Sequence, residues 1–277
     1  MNKNHIKTDC KIQKKVEEFT LMDDFFFNFF FEGNPGALED VISTCLGEEG
    51  LKVESVTCQY EIKNLNAHSL TMDAKAVLRD GRRIDVEVQR SHFEEIEPRS
   101  QFYLSALMFN SLERSRKYKD MDDVYVIFIM DRDHFGLGAE KYSTGDIILE
   151  PYYKMVTKGH LIFINGKTES DSAIGKLMND FRCKDSENMQ YNRLRERMEM
   201  LKNTEERMRL TESLREYFKD ELEAGREQIR EDGIAEGRVK GREEEKSAIV
   251  QKMKNEGIPI DLISRCTGLS SGEIQAI

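Results

Sequence analysis

The chain has no tryptophan among its 277 residues. A glycoside hydrolase would set two carboxyl groups roughly 5 to 9.5 Å apart across an aromatic sugar cleft, so that class fits poorly. The five cysteines are odd in number and widely spaced, with no Cys-x-x-Cys pair, and the five histidines never stand four apart. A zinc site or disulfide framework is not expected, and reduced thiols in a cytoplasmic protein are the simpler account. No apolar run approaches the roughly 20 residues a membrane span needs. The opening "MNKNHIKTDCKIQKKVEEF" lacks the apolar core of a signal peptide. Proline is missing from 185–254, a stretch dominated by charges of both signs. With 42 basic and 52 acidic residues, the net charge is −10. That total does not point to nucleic acid, although a local groove can still bind it.

What is present divides the sequence into four expected segments: a polar arm over 1–19, an α/β domain over 20–184, a charged helical region over 185–254 and a small helical unit over 255–277. In the second, an aromatic helix with six phenylalanines between Phe25 and Phe31 precedes a helix with Asn34-Pro35 at its start and Gly47 just past its end. Strands are expected at 53–60, 70–78, 83–89, 124–130 and 161–164, with a helix over 98–118 between the third and fourth. "VYVIFIM" is apolar throughout, as a strand covered on both faces should be. A helix joining two strands predicts a parallel neighbour.

The hairpin "LTMDAKAVLRDGRRIDVEVQR" carries the chemistry. Arg79-Asp80-Gly81 suits a three-residue loop with glycine left-handed, so paired residues sum to 160. Asp73 then lies opposite Glu87, and Lys75 opposite Asp85. Glu87 and Gln89 share that face; Ala74, Ala76, Ile84, Val86 and Val88 form an apolar one. Two carboxylates about 5 Å apart repel unless a cation lies between them. A hard divalent ion such as Mg²⁺ would relieve this. A solvent-facing strand with charges that merely happen to be opposed is the alternative at this point. Arg99 and Tyr103, four apart, fall on one helix face, either as a phosphate contact or as packing. Arg79, Arg82, Arg83 and Arg90 could line a nucleic-acid path.

"DAKAVLRDGRRIDVEVQR" followed by "EPRSQFY" and "DVYVIFIM" resembles the PD-(D/E)XK nuclease superfamily, and within it the Rpn-type branch of recombination-promoting nucleases and transposases. Asp24 and the phenylalanines after it resemble that branch's opening helix. The resemblance implies a restriction-endonuclease-like mixed sheet flanked by helices, and Mg²⁺-dependent DNA cleavage, with Mn²⁺ as substitute, linked to recombination or mobile DNA. By this analogy Asp73, Glu87 and the Val88 carbonyl are metal ligands, with Glu39 a further acidic ligand. Gln89 stands where the superfamily commonly has lysine; it cannot carry that positive charge, which passes the task to the metal or to Arg99. Arg99, Tyr103 and Arg90 would meet the DNA. The alternative function is a catalytically weak nuclease fold acting in DNA binding or assembly through its tail. In that tail, Gly225, Gly233, Gly237 and Gly241 recur at multiples of four, a stripe that would let a partner helix close in and form a dimer.

Overall fold

A tight turn fixes the register of the whole sheet. In the computed structural model, which describes residues 12–62, 69–90, 95–111, 117–203, 205–219 and 247–276, Gly81 has φ +94°. Its N–H donates to the Leu78 carbonyl at 3.0 Å, and the Leu78 N–H donates to the Arg82 carbonyl at 2.9 Å. This is the three-residue loop the sequence implied. Strands β2 (Leu70–Leu78) and β3 (Arg83–Gln89) therefore pair antiparallel with Ala74 opposite Val86, Lys75 opposite Asp85 and Ala76 opposite Ile84, the register that sums to 160.

β1 (Val53–Ile62) joins the outer edge of β2. On the other side, β4 (Val124–Met130) runs parallel to β3, and β8 (Gly159–Asn165) runs parallel to β4. The short β5 (Lys141–Ser143) closes the far edge antiparallel. The six-stranded order is β1-β2-β3-β4-β8-β5; a separate ribbon pairs β6 (Ile147–Ile148) with β7 (Tyr153–Lys154). The parallel step from β3 to β4 is the one predicted from the intervening helix α4 (Ile96–Ser111), which lays Tyr103 and Leu107 on Val126, Phe128 and Phe163. Helices α2 (Asp24–Phe31) and α3 (Pro35–Leu46) sit at the β1–β2 side. Phe26, Phe27, Phe30 and Phe31 are fully buried, Asn34 accepts from the Ala37 N–H, and Gly47 ends α3 in the left-handed region. The architecture is a mixed sheet flanked by helices, a restriction-endonuclease-like α/β fold.

Three expected boundaries move. A helix over 12–18, α1, replaces part of the polar arm: Ile12, Val16 and Phe19, spaced four and three apart, are all buried. The chain divides into two compact units after Leu214 rather than at 184. α5 (Ala173–Arg182) is followed by α6 (Asn192–Asn203), and α6 is the reason: its Leu194, Met198 and Leu201 are fully buried and its Arg193 reaches Glu39 of α3. In the second unit, a helix over 247–255 and the helices Ile260–Thr267 and Ser271–Ala276 enclose Val250, Ile263 and Ile274. This small core starts earlier than the 255 expected, because Val250 and Met253 belong to it. Ser270 and Glu273 form a reciprocal cap at the last helix. The glycine stripe from 225 to 241 lies outside the described residues. Among the described residues, no helix is long and apolar enough to cross a membrane.

Candidate active site

β2 and β3 stop pairing regularly beyond Ala74 and Val86, and two carboxylates take over as acceptors. The Asp73 N–H donates to Glu87 Oε1 at 2.7 Å. The Val88 N–H donates to Asp73 Oδ2 at 3.2 Å. On the other side of β2 the ladder with β1 names Cys58 opposite Ala74 and Tyr60 opposite Met72, but no partner for Asp73. The residue that would face it, Gln59, has φ +51°, a region that non-glycine residues seldom occupy. Such strain costs on the order of 1–3 kcal/mol and gathers at functional positions. The hairpin is thus distorted on both sides of Asp73, where an uninterrupted ladder would have been more stable.

Strand β3 presents Asp85, Glu87 and Gln89 on one face, and none is open to solvent: they are 0%, 2% and 6% exposed. The alternative of a solvated strand with chance charges does not hold. Helix α4 supplies the cover. Arg99 Nη1 donates to Gln89 Oε1 at 2.8 Å, and Arg99 Nη2 donates to the Tyr103 hydroxyl at 2.9 Å. The same Nη2 lies 3.6 Å from Glu87 Oε2. Tyr103 is anchored in turn, its hydroxyl 3.4 Å from the Thr71 carbonyl. Of the two jobs considered for them, Arg99 and Tyr103 perform the packing one, and they also hold a guanidinium against the carboxylates. On α2, the Asn28 side chain donates to the Asp24 carbonyl at 2.8 Å and also hydrogen-bonds with Asp73. Arg90 pairs with Asp23.

Glu39 is not brought to this cluster. Its Oε2 accepts from Arg193 at 2.7 Å and from Lys52 at 3.2 Å, and its Oε1 accepts from the Val53 N–H at 3.1 Å. Burial works against ionisation there, but these three partners outweigh it and hold the carboxyl below its usual range. Glu39 is occupied in joining α3 to the start of β1 and to α6.

The cluster's electrostatics are set by burial. Burial, assisted by the Asp24 charge, pushes the Asp73 carboxyl up to about 6, against the Val88 N–H, the Asn28 side chain and the Arg99 charge. Burial and then the neighbouring Asp73 raise Asp85 well above the carboxylate range; burial, Asp85 and Asp73 do the same to Glu87. Three carboxyl groups in one dry site cannot all ionise without a compensating cation. Among the described residues, no three His, Cys, Asp or Glu side chains are already arranged to hold a metal; Asp73 and Glu87 are turned to backbone N–H groups instead. The donor chemistry nevertheless fits a hard divalent ion. Every candidate ligand is an oxygen, and among the described residues no N–H donates to the buried oxygens of Asp85, which meets the carboxyl of Glu87.

Sequence reasoning placed Asp73, Glu87, Gln89, Arg99 and Tyr103, and the fold brings these five together. Two neighbours escaped it. Asp85 looked like half of a surface ion pair with Lys75. Asn28 is a buried amide among phenylalanines, and a lone polar residue in an aromatic helix was the available signal.

No curated protein and no solved structure matches the chain. One family model does, that of the PD-(D/E)XK nuclease family transposases, over residues 21–232. That span includes α2, the whole sheet and every residue of the cluster, so the hairpin with its paired carboxylates is read within the fold the family shares: the chain belongs to the PD-(D/E)XK nuclease family transposases.

Proposed function

We propose that the chain is a DNA endonuclease that hydrolyses phosphodiester bonds with Mg²⁺, in the service of recombination or mobile DNA in the cytoplasm. The observation that carries this reading is the distorted hairpin end. There the Glu87 carboxylate accepts from the Asp73 N–H and the Asp73 carboxylate accepts from the Val88 N–H, beside a glutamine clamped by an arginine. Asp73, Glu87 and the Val88 carbonyl would hold the ion. When bound, it polarises the scissile phosphate and makes an attacking water more acidic.

The chain's own residues supply the rest. Gln89 commits its Oε1 to Arg99, which orients the amide so that its N–H₂ end acts as donor. A donor suits the oxygen on which charge builds as the phosphate is attacked. Arg99 brings the fixed positive charge that Gln89 lacks. Its rigid fork reaches Gln89, Tyr103 and Glu87 together, a task lysine could not perform. Arg90, exposed and paired with Asp23, would exchange that partner for a DNA phosphate. We retain the glycine-spaced segment as the self-association element of a dimer.

One observation favours the alternative, a binding or assembly protein with weak chemistry. Glu87 and Gln89 are nearly sealed from solvent, and Arg99 lies against both. Paired assays separate the two readings. DNA binding in EDTA without cleavage in Mg²⁺ or Mn²⁺ supports assembly; cleavage that starts on adding metal supports the nuclease.

A further inference from the structure

We propose that Asp85 is a third carboxylate of the cation site, contributing a bond to the divalent ion held by Asp73 and Glu87. The proposal rests on the metal reading above and extends it to a residue that neither the hairpin pattern nor the family resemblance assigned.

Asp85 is wholly buried, and among the described residues no N–H donates to either of its oxygens; the side chain it meets is another acid, the carboxyl of Glu87. Buried polar groups are nearly always satisfied, and an orphan in a folded protein calls for an ion or water that belongs there. The nearest obvious cation acts on it only through space. Lys75 stands opposite in the ladder, yet its ammonium sits 3.5 Å from the centroid of the Tyr60 ring. The other members of the cluster have bonds within the fold. Glu87 Oε1 takes the Asp73 N–H, Asp73 Oδ2 takes the Val88 N–H, and Gln89 takes Arg99. Among the described residues, Asp85 alone of the carboxylates receives no backbone N–H, and it faces the carboxyl of Glu87 instead.

Position supports the assignment. Asp85 and Glu87 are two apart on one strand and share a face, the face that carries Gln89. A strand buried on both sides would ordinarily place valine or isoleucine here, as β3 does at Ile84, Val86 and Val88. A hard ion is the group that a third carboxylate serves, because carboxylate count tunes affinity for such ions. The oxygen ligands this proposal names suit a hard ion rather than zinc.

The test is Mn²⁺ binding to the full chain, measured by calorimetry and by the paramagnetic signal of free Mn²⁺. Melting temperatures are taken with and without the ion. Asp85→Asn keeps the shape and removes the charge. It should weaken Mn²⁺ at least tenfold and shrink the Mn²⁺-induced rise in melting temperature. In EDTA it should melt no lower than the wild type, since a buried carboxyl that faces another carboxyl has been replaced by an amide. Asp73→Asn is run in parallel. If Asp73→Asn weakens Mn²⁺ while Asp85→Asn binds within twofold of wild type, the third ligand is refuted and the metal reading stands. If wild type takes up no Mn²⁺, the metal reading itself fails and this inference with it. Should Asp85→Asn not fold, Asp85→Ser is titrated in the same way. Failure of both to fold assigns Asp85 to the hairpin's stability and overturns the proposal.

Discussion

Ending the chain after residue 184 would remove α6 from the sheet unit. Leu194, Met198 and Leu201 are each fully buried. Burying one such side chain contributes about 1.5–3 kcal/mol, so the three together contribute about 5–9 kcal/mol, an upper range because the unfolded chain is itself partly collapsed. The cut also takes Arg193 away from Glu39, a buried carboxylate that would keep only Lys52 and the Val53 N–H. Arg197, which donates to the Phe30 carbonyl at 3.3 Å, is lost as well. Whole domains are stable by about 5–15 kcal/mol, so the loss is comparable to everything available. At about 2–4 °C per kcal/mol for a chain of this size, a fragment ending at 184 should melt at least about 10 °C below one ending at 214, or be unfolded at room temperature. Circular dichroism melts of the two fragments decide it. Melting within about 3 °C of each other would mean that α6 is peripheral and that the burial argument is wrong.

Other outcomes follow from the same geometry. Arg99→Lys keeps the charge but loses the fork that reaches Gln89, Tyr103 and Glu87, and should lower the metal-dependent cleavage rate about a hundredfold; single-turnover kinetics on a labelled duplex measures it. In EDTA, stability should fall as pH rises. Asp73 has its folded value raised to about 6 by burial and the Asp24 charge. Its contribution is therefore complete below the unfolded carboxyl value near 4 and lost as pH climbs through about 6. Asp85 and Glu87, raised further, extend the loss upward, while Asn28 and Arg99 oppose it; melts from about pH 5 to about pH 8 should fall in EDTA and flatten in saturating Mn²⁺. Gly81→Ala forces a side chain onto φ +94° and places its Cβ 3.0 Å from Asp122 Oδ1, so it should cost upwards of about 1 kcal/mol in urea unfolding.

The hairpin and β4 were legible almost residue for residue because their information is local. The period of two fixes which side chains share a face, and the Arg79-Asp80-Gly81 turn fixes the register, so Asp73 and Glu87 could be set opposite each other from the sequence. The burial of those carboxylates was not local. It depends on α4 crossing over to β4 and laying Arg99 and Tyr103 across the strand ends, and that cover turned an apparent surface into a sealed site and hid the role of Asp85. α1 and α6 were misjudged for one shared reason. Ile12, Val16 and Phe19, and Leu194, Met198 and Leu201, form narrow apolar stripes in heavily charged segments, so average polarity concealed the helix in α1 and, in α6, already expected to be helical, the buried face. Glu39 could not have been placed in advance either. Its carboxylate is held by Arg193, 154 positions along the chain, a pairing that no spacing pattern announces.

The central claim is that the paired carboxylates of the hairpin make a metal-dependent phosphodiesterase. The direct measurement is the nicking of supercoiled plasmid by wild type, Asp73→Ala and Glu87→Ala, started by adding Mg²⁺ to protein and DNA mixed in EDTA. Only variants whose melting curves confirm folding are compared. Wild type should begin to nick when Mg²⁺ exceeds the chelator, and each variant should be slower by about a thousandfold or more. Cleavage that proceeds unchanged in EDTA, or at the wild-type rate in Asp73→Ala, would contradict the account.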